Sequence, residues 1–276
     1  MTGCLLLVIA WRPWSQRGRS DGDALDRTTG GACGVAFAAS YGICHLGLHG
    51  LPASAQLEAW EWLLVLVPLA ALAGVADSVF KPSRSLPVVA ITCLACATGW
   101  LIVPGFEPSP WTWRIGIGAV VITLYGSQRH FVQALAGLAL PLAWVMVGSF
   151  GLPVLIASAN AKFGFFSTSI AAASGAAALV WLYLREMVIV RSAVPVVSVL
   201  FPSLFSSGHF NDYGEVSTVA FLLLIAAPLS LWFGLPLTKR YSKSWAPTVV
   251  GLACVLLFCC AAVYIAWPAL NAVPAY

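Results

Sequence analysis

Two histidines, His45 and His49, lie four residues apart in the stretch YGICHLGLHG (41–50), which carries no formal charge. On a helix, residues i and i+4 share a face, with their side chains about 6 Å apart. Two imidazoles in this arrangement can ligate one zinc or copper ion. They cannot supply both axial ligands of one haem, because these ligands approach from opposite sides, so a haem would need a further helix.

A third histidine, His209, lies in the segment SSGHFNDYGE (206–215) with Asp212 and Glu215. The chain threading described below puts this segment on the same side of the membrane as His45 and His49. We therefore predict a metal site formed by His45, His49 and His209. No signature such as H-E-x-x-H accompanies them, and the alternative is that they are polar residues at the membrane interface.

Cysteines and charged residues offer two further possibilities. Cys93 and Cys96 form a CLAC motif inside an apolar run, where cysteine is either a redox or soft-metal group or simply a small apolar residue. Charged residues also lie close to the predicted helix ends, where they can extend to the interface and anchor the helices. These residues are Glu61, Asp77, Arg114 and Arg191.

The composition is that of a membrane protein. The chain has 276 residues, of which 60% are hydrophobic and 9% are charged, whereas a typical soluble domain has about 25% charged residues. The charged residues form short clusters between long apolar runs that do not alternate with polar positions, which favours helices. The predicted fold class is therefore an all-α, polytopic transmembrane helical bundle.

Nine apolar segments approach the length of about 20 residues that a spanning helix needs. They are Ala32–Gly50, Ala59–Val79, Leu86–Val103, Trp111–Tyr125, Phe131–Gly151, Phe165–Leu184, Met187–Phe205, Val216–Leu237 and Ala246–Trp267. The predicted domains are a cytoplasmic N-terminal tail (1–31) and a single transmembrane helical domain (32–276).

The distribution of basic residues predicts the orientation of these spans. If alternate connections face the same side, twelve of the fourteen lysines and arginines fall on one side, and Arg114 and Lys162 fall on the other. Because basic residues are enriched in cytoplasmic loops, the N-terminus is predicted inside and the C-terminus outside. The net charge of +4 does not indicate nucleic-acid binding, since the basic residues lie at helix ends.

The tail begins with the apolar stretch MTGCLLLVIAW (1–11), which would reach only about 16 Å as a helix. It is either an interfacial helix or the end of a tenth helix that starts further upstream.

Prolines and small residues give a weak indication of function. Prolines inside the predicted spans can kink helices, as in transporters, although they also occur in other membrane proteins. They are Pro68, Pro141, Pro195, Pro202 and Pro228. In the sixth segment, Ser167, Ala171 and Gly175 recur at intervals of four residues, which predicts close helix packing at the centre of the bundle.

Two stretches resemble an uncharacterised family of multi-pass membrane proteins from planctomycete-type bacteria. They are SANAKFGFFSTSIAAASGAAALVWL (158–182) and GHFNDYGEVSTVAFLLLIAAPLSLWFG (208–234), which together cover about a fifth of the chain. The resemblance implies a helical bundle in a bacterial inner membrane. The family brings no known activity, so it assigns no catalytic residue.

The sequence thus predicts an integral inner-membrane protein whose partner is the lipid bilayer. No P-loop, G-x-S-x-G or dinucleotide-binding signature is present. The leading hypothesis is a small permease or an accessory membrane subunit. The alternatives are a metal or haem protein, or an enzyme, that uses the outer-face histidines, and a structural subunit of another complex. Cofactor, membrane-protein partner and oligomeric state stay open.

Overall fold

The computed structural model describes residues 22–50, 52, 57–79, 85–105, 107–135, 137–184, 188–213, 215–238 and 245–272. The secondary structure of these ranges is helical, and no strand occurs in them. The apolar start (1–11) and several of the basic residues used to orient the chain lie outside the described residues.

Each predicted segment overlaps a helical stretch, so the all-helical fold class is confirmed for the described residues. The helices are α1 (Gly22–His49), α2 (Leu63–Val79), α3 (Ser85–Ile102), α4 (Pro110–Ala134), α5 (Ala139–Ala157), α6 (Ala161–Leu184), α7 (Val188–Arg191), α8 (Ala193–Phe210), α9 (Thr218–Ala226), a 3₁₀ segment (Ala227–Gly234), α10 (Leu235–Thr238) and α11 (Ala246–Ala272).

Five stretches within the described residues are long and apolar enough to cross a membrane. They are Ala139–Ala157, Ala161–Leu182, Ala193–Phe210, Thr218–Thr238 and Ala246–Asn271. Two shorter apolar helices, Leu63–Asp77 and Pro87–Ile102, accompany them. α1 and α4 are not in this set, because each carries several polar residues along its length. By length and composition, the chain is compatible with an integral membrane protein.

Three predicted boundaries were wrong. α4 continues through Arg129 and His130 to Ala134, so these residues are helical rather than part of a connection, and α5 begins at Ala139 rather than Phe131. The reason is that Ser127 and Gln128 are buried in the bundle, although their polarity is typical of a loop. α1 begins at Gly22, within the region predicted to be the cytoplasmic tail.

Two of the predicted spans are interrupted. The seventh is divided at Ser192, between α7 and α8. The eighth consists of α9, the 3₁₀ segment and α10, and Pro228 stands at the start of the 3₁₀ segment. Proline lacks the backbone N–H that an α-helix would use at that position.

The central helix is α8, not α6 as the sequence predicted. In the apolar stretch of α8, 89% of the residues are buried, against 56% in that of α6. The close packing predicted for the small residues of α6 is confirmed, but its partner is α5. The Ser167 hydroxyl donates to the carbonyl of Gly148 at 2.7 Å, and a side chain on Gly148 would overlap Ala171.

Three backbones meet at Ser192, where α1 and α2 approach the junction between α7 and α8. The N–H of Gly34 donates to Ser192 Oγ at 3.0 Å. A Cβ atom on either Gly34 or Gly74 would lie closer than 3.0 Å to the Ser192 carbonyl oxygen, a separation that real Cβ atoms essentially never show. Glycine is therefore required at both positions for this approach.

We expect Gly74→Ala to destabilise the protein by about 2 kcal/mol, because the added methyl group must displace the Ser192 backbone. For a chain of this size, the unfolding temperature should fall by about 5 °C. Circular dichroism during heating in mild detergent measures this change. The matched control is Gly126→Ala, since a Cβ atom at Gly126 meets nothing within 4 Å. Equal Tm values for both variants would contradict the close approach.

Candidate functional site

The predicted histidine pair lies at the end of α1 within an aromatic cluster. The His45 side chain is buried, with the residue 1% exposed, and its ring stacks on Phe166 with centroids 5.5 Å apart and planes 6° apart. The Trp60 ring lies 5.0 Å from His45 and 5.1 Å from His49. The two imidazole centroids are 5.8 Å apart, as the i and i+4 spacing predicts.

Trp60 is held in this cluster by polar contacts on its other sides. Its indole N–H donates to Glu58 Oε2 at 2.5 Å. The Lys162 ammonium lies 4.4 Å from the ring centroid, within the range of a cation–π contact. By contrast, His45 Nδ1 is buried and has no hydrogen-bond partner. The pair thus combines an exposed imidazole, His49, with a buried one that has an unused nitrogen.

The third predicted ligand, His209, lies in a different aromatic cluster. Its ring packs 5.2 Å from Trp113 and 5.6 Å from Phe221, near the end of α8. Among the described residues, no three histidine, cysteine, aspartate or glutamate side chains form a group that could hold a metal ion. The structure therefore brings His45 and His49 together but does not add His209 to them.

A second polar group, which the sequence did not predict as a unit, joins α2, α4 and α7. The Asp77 carboxylate forms ion pairs with Arg129 Nη2 and Arg191 Nε, each at 3.1 Å. Arg191 Nη2 also approaches Asp77 Oδ1 at 3.5 Å, and Arg129 Nη1 donates to the Tyr125 hydroxyl at 3.0 Å. We call Asp77, Arg129 and Arg191 the arginine–aspartate group.

The carboxylate of this group is buried, whereas its two arginine side chains are partly exposed. The Asp77 side chain is 4% exposed, whereas those of Arg129 and Arg191 are 30% and 34% exposed. No local pattern could have predicted this pairing, because Asp77 lies 52 residues before Arg129 and 114 before Arg191.

The 3₁₀ segment is attached to the turn of α4 that contains Ser127 and His130. The Trp232 indole N–H donates to Ser127 Oγ at 3.1 Å, and the Trp232 ring stacks on His130 with centroids 5.4 Å apart. Gln128, next to Ser127, is 0% exposed, and neither polar atom of its amide has a partner. Ser198 Oγ on α8, which packs against α4, is likewise buried without a partner.

The CLAC cysteines do not face these groups. Cys93 and Cys96 are exposed on the outside of α3, and both are free thiols. This placement is the one expected for small apolar residues that contact lipid.

The chain matches no known family model, no curated protein and no solved structure. The features of the described residues that could carry a function are the histidine pair, the arginine–aspartate group and the buried Gln128 amide.

We expect Asp77→Asn to destabilise the fold by about 2 kcal/mol, because two converging guanidinium groups then lose their counter-charge. This value is below the cost of breaking a fully buried pair, since both arginines are about one-third exposed. The measurement is the Tm in mild detergent, with Glu215→Gln as the control because Glu215 is exposed. An Asp77→Asn protein as stable as the control would show that the ion pairs contribute nothing to stability.

Proposed function

We propose that the chain is a multi-pass protein of the bacterial inner membrane with nine spans, its N-terminus inside and its C-terminus outside. Its five long apolar helices and the asymmetry of its basic residues support this topology. The family resemblance supports the inner-membrane location. We further propose that the protein is a permease for a small polar solute, which passes between α4 and the central helix α8.

The observation that carries the permease proposal is the fully buried, unpaired amide of Gln128. A buried polar group without a hydrogen bond costs about 1–3 kcal/mol, so it persists in a bundle where something else satisfies it. Gln128 lies about 9 Å from the end of α4, and Ser198 about 8 Å from the start of α8. Both positions are near the same end of the bundle, since α4 and α8 run in opposite directions between the proposed membrane faces. Water or a polar solute that reaches these side chains would provide the missing partners.

Interruptions in the helices lie close to both Gln128 and Ser198. The 3₁₀ segment is bonded to Ser127, the neighbour of Gln128, and the break at Ser192 lies six residues before Ser198. Transporters place their substrate sites beside such discontinuous helices, and 3₁₀ stretches within helices often act as hinges. A shift of the 3₁₀ segment would therefore change the surroundings of the Gln128 amide directly.

A cysteine-accessibility experiment tests the pathway. In a background whose native cysteines are replaced by alanine, a cysteine at Ser198 should react with a positively charged, membrane-impermeant methanethiosulfonate reagent in proteoliposomes. The matched control is Ser203→Cys. Ser203 is equally buried in α8, but its hydroxyl already donates to the Val199 carbonyl at 2.7 Å. We expect Ser198→Cys to react at least tenfold faster than Ser203→Cys.

Transport is measured with the same vesicles, using glycerol as the probe. Vesicles that contain the protein should swell faster in isosmotic glycerol than empty vesicles, and labelling of Ser198→Cys should slow the swelling. Protection of both cysteines, or identical swelling with and without the protein, would contradict the permease proposal for this class of solute.

A second candidate function, metal binding at the outer face, is favoured by the unpartnered nitrogen of His45 and its distance from His49. Zinc or copper would accept the two imidazoles, with water or a residue from outside this cluster as the further ligands. The family resemblance neither supports nor opposes such a site.

Elemental analysis of the purified protein tests this candidate. A metal protein should contain one zinc or copper ion per chain, which is lost in both His45→Ala and His49→Ala. His130→Ala is the control, since His130 is an exposed histidine that stacks on Trp232 elsewhere in the bundle. A wild-type protein without stoichiometric metal would contradict metal binding. The two histidines would then be part of the aromatic packing only.

A further inference from the structure

We infer that Arg129 and Arg191 bind a phosphate group at the end of the bundle where α2, α4 and α7 meet. The ligand is either the phosphate of an anionic lipid headgroup or free inorganic phosphate. This site is separate from the Gln128 amide, and it does not depend on the permease proposal.

The charge balance of the arginine–aspartate group favours an anionic ligand. Two guanidinium groups share the one carboxylate of Asp77, so the arginine–aspartate group carries one surplus positive charge. Among the described residues, no other carboxylate forms an ion pair with either arginine. A surplus charge held in a partly buried site is costly, and an anion that binds there removes this cost.

The two arginines also have hydrogen-bond donors that no described residue uses. A guanidinium group has five N–H donors. Arg191 directs Nε and Nη2 to Asp77, whereas Arg129 directs Nη2 to Asp77 and Nη1 to the Tyr125 hydroxyl. The remaining N–H groups belong to side chains that are about one-third exposed, while Asp77 itself is almost completely buried. The two arginine side chains are therefore open to a ligand, whereas the carboxylate is not.

The two guanidinium groups are preorganised for a ligand. Asp77 and Tyr125 fix the two guanidinium groups before a ligand arrives, so binding does not have to immobilise two flexible side chains. Planar guanidinium groups match the spacing of phosphate oxygens and often bind them through two parallel hydrogen bonds. Two such groups converging from different helices can bridge one tetrahedral oxyanion.

The location favours phosphate over other oxyanions. The arginine–aspartate group lies near one end of each helix that forms it. In the proposed topology, this end is at the level of the lipid headgroups. In the proposed orientation this end faces the cytoplasm, and the cytoplasmic leaflet has a negative surface potential that arises from its anionic lipids. The choice of leaflet rests on the proposed topology, but the binding chemistry does not.

The experiment measures the Tm of delipidated protein in neutral detergent while one compound at a time is titrated in. The four additions are phosphatidylglycerol, zwitterionic phosphatidylcholine, sodium phosphate, and sodium chloride at the same ionic strength. A ligand that binds the folded state stabilises it, so we expect a saturable rise in Tm with phosphatidylglycerol, with sodium phosphate or with both. Phosphatidylcholine is the control for phosphatidylglycerol, and sodium chloride is the control for sodium phosphate. Each control should raise the Tm less than the compound it matches.

Arg129→Gln tests the assignment to these residues. It leaves Asp77 paired with Arg191, so the ion pair that holds the fold persists while the surplus charge disappears. The half-saturating concentration should rise by about tenfold, which corresponds to the loss of one charged hydrogen bond. The control is Arg114→Gln, because Arg114 is near the opposite end of α4 and its guanidinium lies 4.2 Å from the Trp100 ring centroid. This variant should bind as the wild type does.

The outcomes separate the two sources and can overturn the inference. A response to phosphatidylglycerol alone identifies a headgroup site, which native mass spectrometry should confirm as one retained lipid per chain that is lost in Arg129→Gln. A response to both phosphatidylglycerol and sodium phosphate identifies a site for phosphate itself. No specific response to either source, or equal affinities in the wild type and Arg129→Gln, would overturn the proposal.

Discussion

The approach of two helices to the carbonyl of Ser192 fixes the arrangement on which the arginine–aspartate group depends. Gly34 and Gly74 permit the contact because neither has a side chain. The contact sets the position of the junction between α7 and α8, and Arg191 is the residue just before Ser192. Asp77 follows Gly74 by three residues, about one helical turn, so the same approach brings the carboxylate to the guanidinium. The steric and the electrostatic contacts therefore reinforce each other.

Two of the polar features of the bundle lie next to interruptions in its helices. The arginine–aspartate group adjoins the break at Ser192, and the Gln128 amide adjoins the serine that binds the 3₁₀ segment. An uninterrupted apolar helix satisfies its own backbone and needs nothing from its neighbours. An interruption frees backbone groups and allows side chains to approach at unusual angles, so polar residues can be accommodated there. The central helix α8 is buried along most of its length and packs against α2 and α4, the helices that carry Asp77 and Gln128.

Hydropathy alone was sufficient to find the helical segments, because each apolar run is bounded by polar or charged clusters. It misplaced the end of α4, since a buried serine and glutamine cannot be distinguished by composition from loop residues. The i and i+4 spacing correctly predicted that His45 and His49 lie together. It could not predict that the rings of Trp60 and Phe166 pack around them, because Trp60 comes from the turn before α2 and Phe166 from α6. Asp77 and Arg191 were each recognised as residues near helix ends, but their pairing is a tertiary contact without a local signal.

The order in which the partners of Asp77 are synthesised has a consequence for biogenesis. Asp77 leaves the ribosome 52 residues ahead of Arg129 and 114 ahead of Arg191. At a synthesis rate of roughly 5–20 residues per second, its carboxylate lacks the second guanidinium for about 6–23 s. During that interval, the N-terminal helices cannot reach their final packing, since Ser192 has not been made either. Assembly of the first half of the bundle is therefore tied to the arrival of the seventh segment, and a chain truncated before it would lack both the Ser192 contact and the second guanidinium partner of Asp77.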